Sequence, residues 1–482
     1  MILEDLDARC FLCGAEHGAF DTGRRLCRCV HPQGFPSSEL ACYASILPEP
    51  RSYSVEALPS LWASEPVDVF ALGPSPETGE TGPTVPASGE RDRPGAGPYP
   101  FRTDLLARDQ NLRCGNTIVH RSTALEDVTG FEQVHVLNMS AYRWTSTLKD
   151  PRSWAIVNTA LLHGVTELAV WTAGNAGLSL GKIAYVANRR LSPERRIQVH
   201  AIVDNDVAPE IRTRLKLWQC EVLDIFRRDK PVLNPAEIRG LVAARLKRSR
   251  RTLDEGTYWD VTDGWDGVGL LMYRYLAAQI VRDMIGNGRS GDRARSLVVV
   301  LPVGTGDLLM GFYLGALDCE RAGLIGKGDW RIIGVMPQGA NILHNIRRRS
   351  IPESPDDRTG TARADDDVPV MPKLTSTYTP LAPCLAHLDK SQAVDFLTVS
   401  GLDQLRAGKH VLAGGVDEGL ACEPSALAAF AALPQVYARL RERALENRSW
   451  RYQSSARVLV VNSGLGVLGR EEEAFLRRVN GE

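Results

Sequence analysis

The run Asn138-Met139-Ser140-Ala141-Tyr142-Arg143-Trp144-Thr145-Ser146-Thr147-Leu148-Lys149-Asp150 follows the apolar stretch FEQVHVL and leads into a helical pattern. Lys149 therefore falls at a predicted helix start, where the helix dipole disfavours a cation. A lysine is by default a solvated surface charge. This placement makes chemical sense where the amine is to be neutral or consumed as an imine. Three glycine-rich turns also follow strand-like runs: Thr172-Ala173-Gly174-Asn175-Ala176-Gly177, Val303-Gly304-Thr305-Gly306-Asp307-Leu308, and Asn462-Ser463-Gly464-Leu465-Gly466. Glycine lets the backbone approach a ligand closely, and a helix N-terminus offers free N–H groups to an anion. The second turn reads as a phosphate cradle on those grounds. Any one such turn is more often structural than ligand-binding. A dinucleotide fold competes, but GTGDLL is too short for G-x-G-x-x-G and no fingerprint occurs early in the chain. Cys10 and Cys13 form C-x-x-C, and Cys27 and Cys29 form C-x-C. Together they can supply four thiolates to a structural zinc. The second pair is one residue short of the usual knuckle, so Cys42 or His17 are substitute ligands and plain reduced thiols are the alternative.

The elements that must position these residues alternate along the chain. VHVLNM, ELAVWTA, IQVHAIV, CEVLDIF, SLVVVLPVG, RIIGVMP and RVLVVNSG read as buried strands. SWAIVNTALLHG, GLSLGKIAYVANR, GLLMYRYLAAQIVRDMIG and PSALAAFAALPQVYARLRERALE read as amphipathic helices. That alternation predicts an α/β fold with mostly parallel sheets, which binds ligands at the C-terminal ends of its strands. Residues 1–73 form a cysteine-bearing N-terminal segment. Residues 74–100, rich in Pro, Gly, Ser and Thr, read as a flexible linker. Residues 101–482 are the globular remainder, with a smaller lobe expected at about 135–255 and a polar surface loop at about 347–367. A flexible tether transmits little strain, so removal of a metal is expected to loosen the N-terminal segment alone.

Basic and acidic residues nearly cancel over 482 residues, leaving a net charge of -1. Neither a nucleic-acid partner nor an anionic membrane is expected from that balance. MILEDLDARC is acidic and does not read as a signal peptide. No apolar run approaches the ~20 residues of a membrane span, and a cytoplasmic protein is expected. Ten cysteines in a chain this long do not make a disulfide scaffold.

Six patches in order resemble the threonine synthases and other fold-type II pyridoxal-phosphate enzymes, the tryptophan synthase β-like group. TSTLKD resembles their T-G-S-F-K-D, GNTIVH their G-N-T-P-L, and TAGNAGLSL their S-S-G-N-T-G-A-S-L. LPVGTGDLLMG, DEGLACEPSALAAFAAL and VNSGLG match their phosphate loop, their E-P-S segment and their S/T-G-x-G turn. No single patch is specific, but the joint order over roughly residues 112–470 is. Some threonine-synthase-like proteins also begin with a cysteine knuckle.

The resemblance implies a two-lobed fold, a pyridoxal 5'-phosphate cofactor, a small amino-acid substrate and a homodimer. Lys149 takes the place of the Schiff-base lysine. Asn175 stands where an asparagine meets the cofactor's ring hydroxyl. Gly304, Thr305, Gly306, Asp307 and Leu308 match the phosphate loop, with the Asp307 carboxylate required to turn away. Ser463 matches the hydroxyl facing the pyridine nitrogen. A neutral partner there leaves the ring largely unprotonated, which favours expulsion of a β- or γ-substituent over transamination. Thr145, Thr147, Thr172 and Ala173 fall in the substrate-binding stretches. The expected reaction is elimination or replacement, as on O-phosphohomoserine. The alternatives are a cysteate-synthase-like β-replacement on phosphoserine or acetylserine, or a non-catalytic binding protein on the same fold. Ala173 in place of a hydroxyl, Pro151 in place of the arginine after K-D, and Leu148 in place of Phe depart from the threonine synthase pattern. A phosphorylated substrate needs a second cationic pocket, for which Arg143, Arg152, Lys182 and Lys373 are candidates.

Overall fold

The computed structural model describes residues 6–17, 27, 29, 45–50, 119–142, 144–204, 207–225, 233–254, 256–286, 296–339, 342–343, 369–374, 379–414, 420–446 and 456–481. The expected linker, the loop at 347–367, Arg143, Cys42 and most of GNTIVH lie outside them, as does the start of the DEGLAC run.

Among the described residues the strands, numbered in chain order, form three sheets. The first is small and antiparallel: β1 (Leu6–Cys10), β2 (Glu16–His17) and β3 (Ile46–Pro50), in the order β2-β1-β3. The largest contains β4 (Val119–Arg121), β5 (Gln133–Asn138), β10 (Leu297–Pro302), β11 (Trp330–Pro337), β12 (Asp395–Val399) and β13 (Arg457–Asn462). Its order is β12-β11-β10-β13-β5-β4, parallel throughout except for the antiparallel edge pair β4–β5. The third sheet is wholly parallel, β8-β7-β6-β9, from β6 (Glu167–Trp171), β7 (Gln198–Asp204), β8 (Glu221–Ile225) and β9 (Tyr258–Asp260). The expected two-lobed α/β architecture is thus the one the chain adopts. β5, at the edge of the span assigned above to the smaller lobe, hydrogen-bonds in the larger sheet, and β9 extends the smaller sheet to residue 260.

Parallel strands covered on both faces need unbroken apolar runs. β10 meets that demand, with all six residues of LVVVLP buried. Six of the helices matter for the site: α1 (Lys149–Leu162), α2 (Asn175–Asn188), α3 (Gly267–Gly286), α4 (Asp307–Arg321), α5 (Ala382–Lys390) and α6 (Arg470–Asn480). Of these, α1, α2 and α4 each begin where a strand and its turn end.

The small N-terminal sheet is docked against the larger lobe. Ala8, Cys10, Cys27, Ile46 and Leu47 belong to the same buried apolar cluster as Tyr275 and Phe312. Phe11 meets the edges of Tyr313 on α4 and His387 on α5, with ring centroids 5.9 and 5.6 Å apart. Glu49 on β3 accepts from Arg274 Nη1 at 2.9 Å, and Arg274 Nε donates to Asp318 Oδ2 at 2.6 Å.

Candidate active site

After β5 the chain crosses to the smaller lobe through a short 3-10 turn (Met139–Ala141) and a strained segment with Ser146 at φ +58°. This segment is laced to the turn after β13. Leu148 N donates to Ser463 O at 2.8 Å, Leu465 N donates to Ser146 O at 2.8 Å, and Thr147 bridges Gly464. Lys149 is the first residue of α1, and Leu148 at the cap provides no side-chain hydrogen bond. The next residue, Asp150, is fully buried. Its Oδ2 accepts from Thr145 N at 2.7 Å, and its Oδ1 accepts from Thr145 Oγ1 at 2.5 Å and Ser179 Oγ at 2.7 Å. Asp150 therefore ties α1 to α2 and fixes where Lys149 emerges.

Lys149 Nζ donates to Asp263 Oδ2 at 2.7 Å. Behind Asp263 lies Arg152, 1 % exposed, with Nε 3.1 Å from Asp263 Oδ1 and Nη2 3.5 Å from Asp266 Oδ2. Burial pushes the Asp263 carboxyl up, but the Arg152 and Lys149 charges outweigh it and hold the group below its ordinary value. Asp263 escaped the sequence reading. Its signal was the run TDGWDG, one residue after β9, at the C-terminal end of a parallel strand where ligand groups gather.

The turn after β10 carries the glycine loop. Gly306 caps α4 with φ +96°, in the left-handed region that favours glycine. A Cβ there would come within 3.0 Å of Leu385 on α5. The Asp307 carboxylate accepts from Gly264 N at 2.8 Å and from Thr305 Oγ1 at 2.6 Å. Those bonds turn it toward the 263–266 loop.

Asn175 opens α2 after β6, in a turn capped from within: Thr172 Oγ1 accepts from Gly174 N at 2.9 Å and Gly177 N at 3.1 Å. Asn175 Nδ2 donates to Glu423 Oε1 at 3.2 Å, while its Oδ1 is buried with no hydrogen-bond partner among the described residues. Glu423 in turn accepts from Lys373 Nζ at 2.6 Å, and the same amine donates to Glu472 Oε1 at 2.9 Å and Val467 O at 3.0 Å. Burial raises the Glu423 carboxyl to about 7, against the opposing pull of Lys373.

Lys149, Asn175, residues 304–308, Thr172, Ala173 and Ser463 all line one cavity of about 710 Å³. It is bounded by the C-terminal ends of strands from both large sheets. Thr145 and Thr147 are not in its lining: Thr147 is fully buried, its hydroxyl 3.0 Å from that of Thr145, and both serve the Asp150 network. Of the expected cations among the described residues, only Lys373 reaches the lining. Arg152 is held by Asp263 and Asp266, and Lys182 lies 5.5 Å over the Trp218 ring and donates to Trp144 O.

An amine, a glycine cradle at a helix start, and an unpaired amide acceptor in one cavity are the donor set that a phosphorylated carbonyl cofactor requires. A family profile described as "Pyridoxal-phosphate dependent enzyme" matches residues 111–464. The chain belongs to that family. The chain is accordingly a pyridoxal-phosphate dependent enzyme. Among solved structures it is similar to a cysteine synthase from Entamoeba histolytica, with 15% identity, 83% of this chain and 99% of that one covered, and a TM-score of 0.49. It is also similar to an O-ureido-L-serine synthase, with 16% identity, 74% and 90% covered, and a TM-score of 0.49. A third likeness is to a pyridoxal 5'-phosphate-dependent aspartate racemase, with 14% identity, 73% and 91% covered, and a TM-score of 0.48. No curated protein is similar enough to match the chain. No helix among the described residues is long and apolar enough to cross a membrane.

Away from this cavity, the Sγ atoms of Cys10, Cys13, Cys27 and Cys29 all lie within 4.8 Å of one another. The Cys10–Cys29 separation is 3.3 Å and the Cys13–Cys27 separation 3.6 Å. Four thiolates around a tetrahedral zinc stand ~3.8 Å apart, given Zn–S bonds of about 2.3 Å. His17 is not in the cluster.

Proposed function

We propose that this enzyme eliminates or replaces a substituent on the β- or γ-carbon of an amino acid, as the threonine-synthase-like and cysteate-synthase-like members of its family do. The observation that carries this reading is Ser463. It follows β13 in the cavity lining, and its neutral hydroxyl, unlike a carboxylate, would leave a ring nitrogen beside it unprotonated. Pyridoxal phosphate, when bound, supplies an electron sink for the bonds at the substrate's α-carbon. The chain's own part is positional and acid–base. Lys149 holds or moves the α-proton at Nζ. Asp263, paired with Lys149 and Arg152, orients that amine. The amides of residues 304–308 would hold the phosphate at the start of α4, and Asn175 Oδ1, buried without a partner, would accept from the ring hydroxyl. The enzyme works as a homodimer on a small-molecule amino acid in the cytoplasm.

Replacing Ser463 with Asp tests the assignment. The variant is expected to keep its cofactor, to lose elimination or replacement activity by at least tenfold, and to gain transamination, seen as accumulation of the amine form of the cofactor. Full retention of the parent activity would remove Ser463 from its assigned place.

We also propose that Cys10, Cys13, Cys27 and Cys29 hold one structural zinc. Metal analysis of the purified protein should find about one zinc per chain, and none in a Cys10→Ser, Cys13→Ser variant. The sheet that carries the thiols shares its core with the larger lobe. Chelation is therefore expected to lower the melting temperature of the whole chain by several degrees, in place of loosening the N-terminal segment alone. A metal-free parent protein refutes the zinc assignment.

A further inference from the structure

Asn175 lines the cavity, and its amide has two ends of opposite chemistry: Nδ2 donates and Oδ1 accepts. Which end is left for a bound molecule depends on what holds the other. Glu423 holds Nδ2. Both of its carboxylate oxygens face that nitrogen, Oε1 at 3.2 Å and Oε2 at 3.3 Å. An ionised carboxylate only accepts, so the reversed amide would set oxygen against oxygen. Oδ1 is therefore the end left over, and it is buried with no hydrogen-bond partner among the described residues. A buried acceptor without a donor is costly, so the arrangement is built to receive one.

Glu423 is itself held from several sides. It is buried, Lys373 Nζ donates to its Oε2 at 2.6 Å, and its backbone N donates to Gly464 O at 2.9 Å. The backbone of Gly466 packs over the pair. A Cβ there would come within 2.3 Å of Glu423 Oε2 and 2.7 Å of Asn175 Oδ1. Main chain from the turn that carries Ser463 thus fixes the acid that fixes the amide.

We infer that Glu423 is a positioning residue that acts through Asn175: by taking Nδ2, it presents Oδ1 as an acceptor to the cofactor's ring hydroxyl. This rests on the place given to Asn175 under the proposed function, and adds the residue that sets which end of the amide is offered.

The test measures dissociation constants of the cofactor-stripped full chain by equilibrium dialysis. The ligands are pyridoxal 5'-phosphate and 3-deoxypyridoxal 5'-phosphate, which lacks the ring hydroxyl. The quantity read is the ratio of the two constants, so a structural loss that weakens both ligands alike cancels. The pH is set about one unit above 7, because burial lifts the Glu423 carboxyl to about 7 and the group must be ionised. In Asn175→Ala the preference for pyridoxal phosphate should fall about threefold to tenfold, the net contribution of one hydrogen bond. Glu423→Gln should cause a fall of similar size. Lys373 draws the oxygen of the new amide, which leaves its NH2 toward Asn175 and reverses that side chain. Lys373 keeps Glu472 at 2.9 Å and Val467 O at 3.0 Å, so the fold is expected to stand. Glu423→Asp keeps the charge beside Lys373 but is one bond too short to reach Nδ2. It should lower the preference too, and carries the test where Glu423→Gln does not fold. Adding Glu423→Gln to Asn175→Ala should lower it no further. An unchanged ratio in the Glu423 variants, beside a reduced one in Asn175→Ala, overturns the inference and leaves the place of Asn175 standing. A further fall in the double variant also overturns it. An unchanged ratio in Asn175→Ala removes Asn175 from the ring hydroxyl, and the inference with it.

Discussion

Lys149→Ala lowers turnover by at least about a thousandfold while leaving the fold in place. Removing the group that carries the proton at the reacting carbon costs ~10²–10⁴ by itself, and loss of the covalent anchor adds to that. Borohydride treatment of the parent protein with pyridoxal phosphate should fix the label on the peptide containing Lys149, and the variant should carry none. Its melting temperature should stay within a few degrees of the parent's, because Asp263 keeps Arg152 as a partner at 3.1 Å when the lysine is gone. A label on another lysine, or substantial activity in the variant, removes Lys149 from its role.

The second large effect is conformational. Gly464 sits at φ +128°, and a Cβ there would lie 2.3 Å from Ser146 O and 2.6 Å from Thr147 Cα. Both are backbone atoms of the segment that delivers Lys149, so neither a rotamer change nor a flexible tip relieves the clash. Gly464→Ala is expected to cost ~3 kcal/mol or more in stability, read as a lower urea midpoint, from strain and forced displacement combined. The same displacement should break the Leu148 N to Ser463 O bond and weaken cofactor binding. Gly240→Ala is the contrast. That position lies within the helix Pro235–Arg248 and meets nothing within 4 Å, so alanine should stabilise the chain by ~0.5–1 kcal/mol through helix propensity. If Gly464→Ala and Gly240→Ala move the midpoint alike, the tight crossing of residues 146–148 over Gly464 is wrong.

The parts of this fold that could be read in the sequence are those with a local cause. LVVVLP and RVLVVN announce buried parallel strands because nearly every residue in them must be apolar. The glycine turns stand out because a left-handed φ such as that of Gly306 narrows the choice of residue. Lys149, Asn175, Ser463 and residues 304–308 meet in one cavity because strand ends collect ligand groups. What stayed hidden depends on distant partners. Asp263 is an ordinary surface-type residue until the fold brings Lys149 against it across 114 positions of sequence. Thr145 and Thr147 look like substrate ligands in a hydroxyl-rich run, and only the burial of Asp150 shows where their hydroxyls are spent. Lys373 passes for a free cation until Glu423 and Glu472 are placed beside it.

The docked N-terminal sheet has a consequence for how the chain is made. Glu49 must wait for Arg274, 225 residues further along, before its buried partner exists. At ribosomal speeds of ~5–20 residues per second, that is roughly 10–45 s during which the first strands are outside the ribosome with their docking face uncovered. Ala8, Ile46 and Leu47 stay wet for that interval, and Cys10 and Cys27 lack the larger lobe's share of their apolar cluster. This segment, made well before Arg274, thus reaches its final surroundings only after the residues that dock against it are made. Cys10 and Cys27, buried in the finished chain, stay open to oxidation until the larger lobe arrives to cover them.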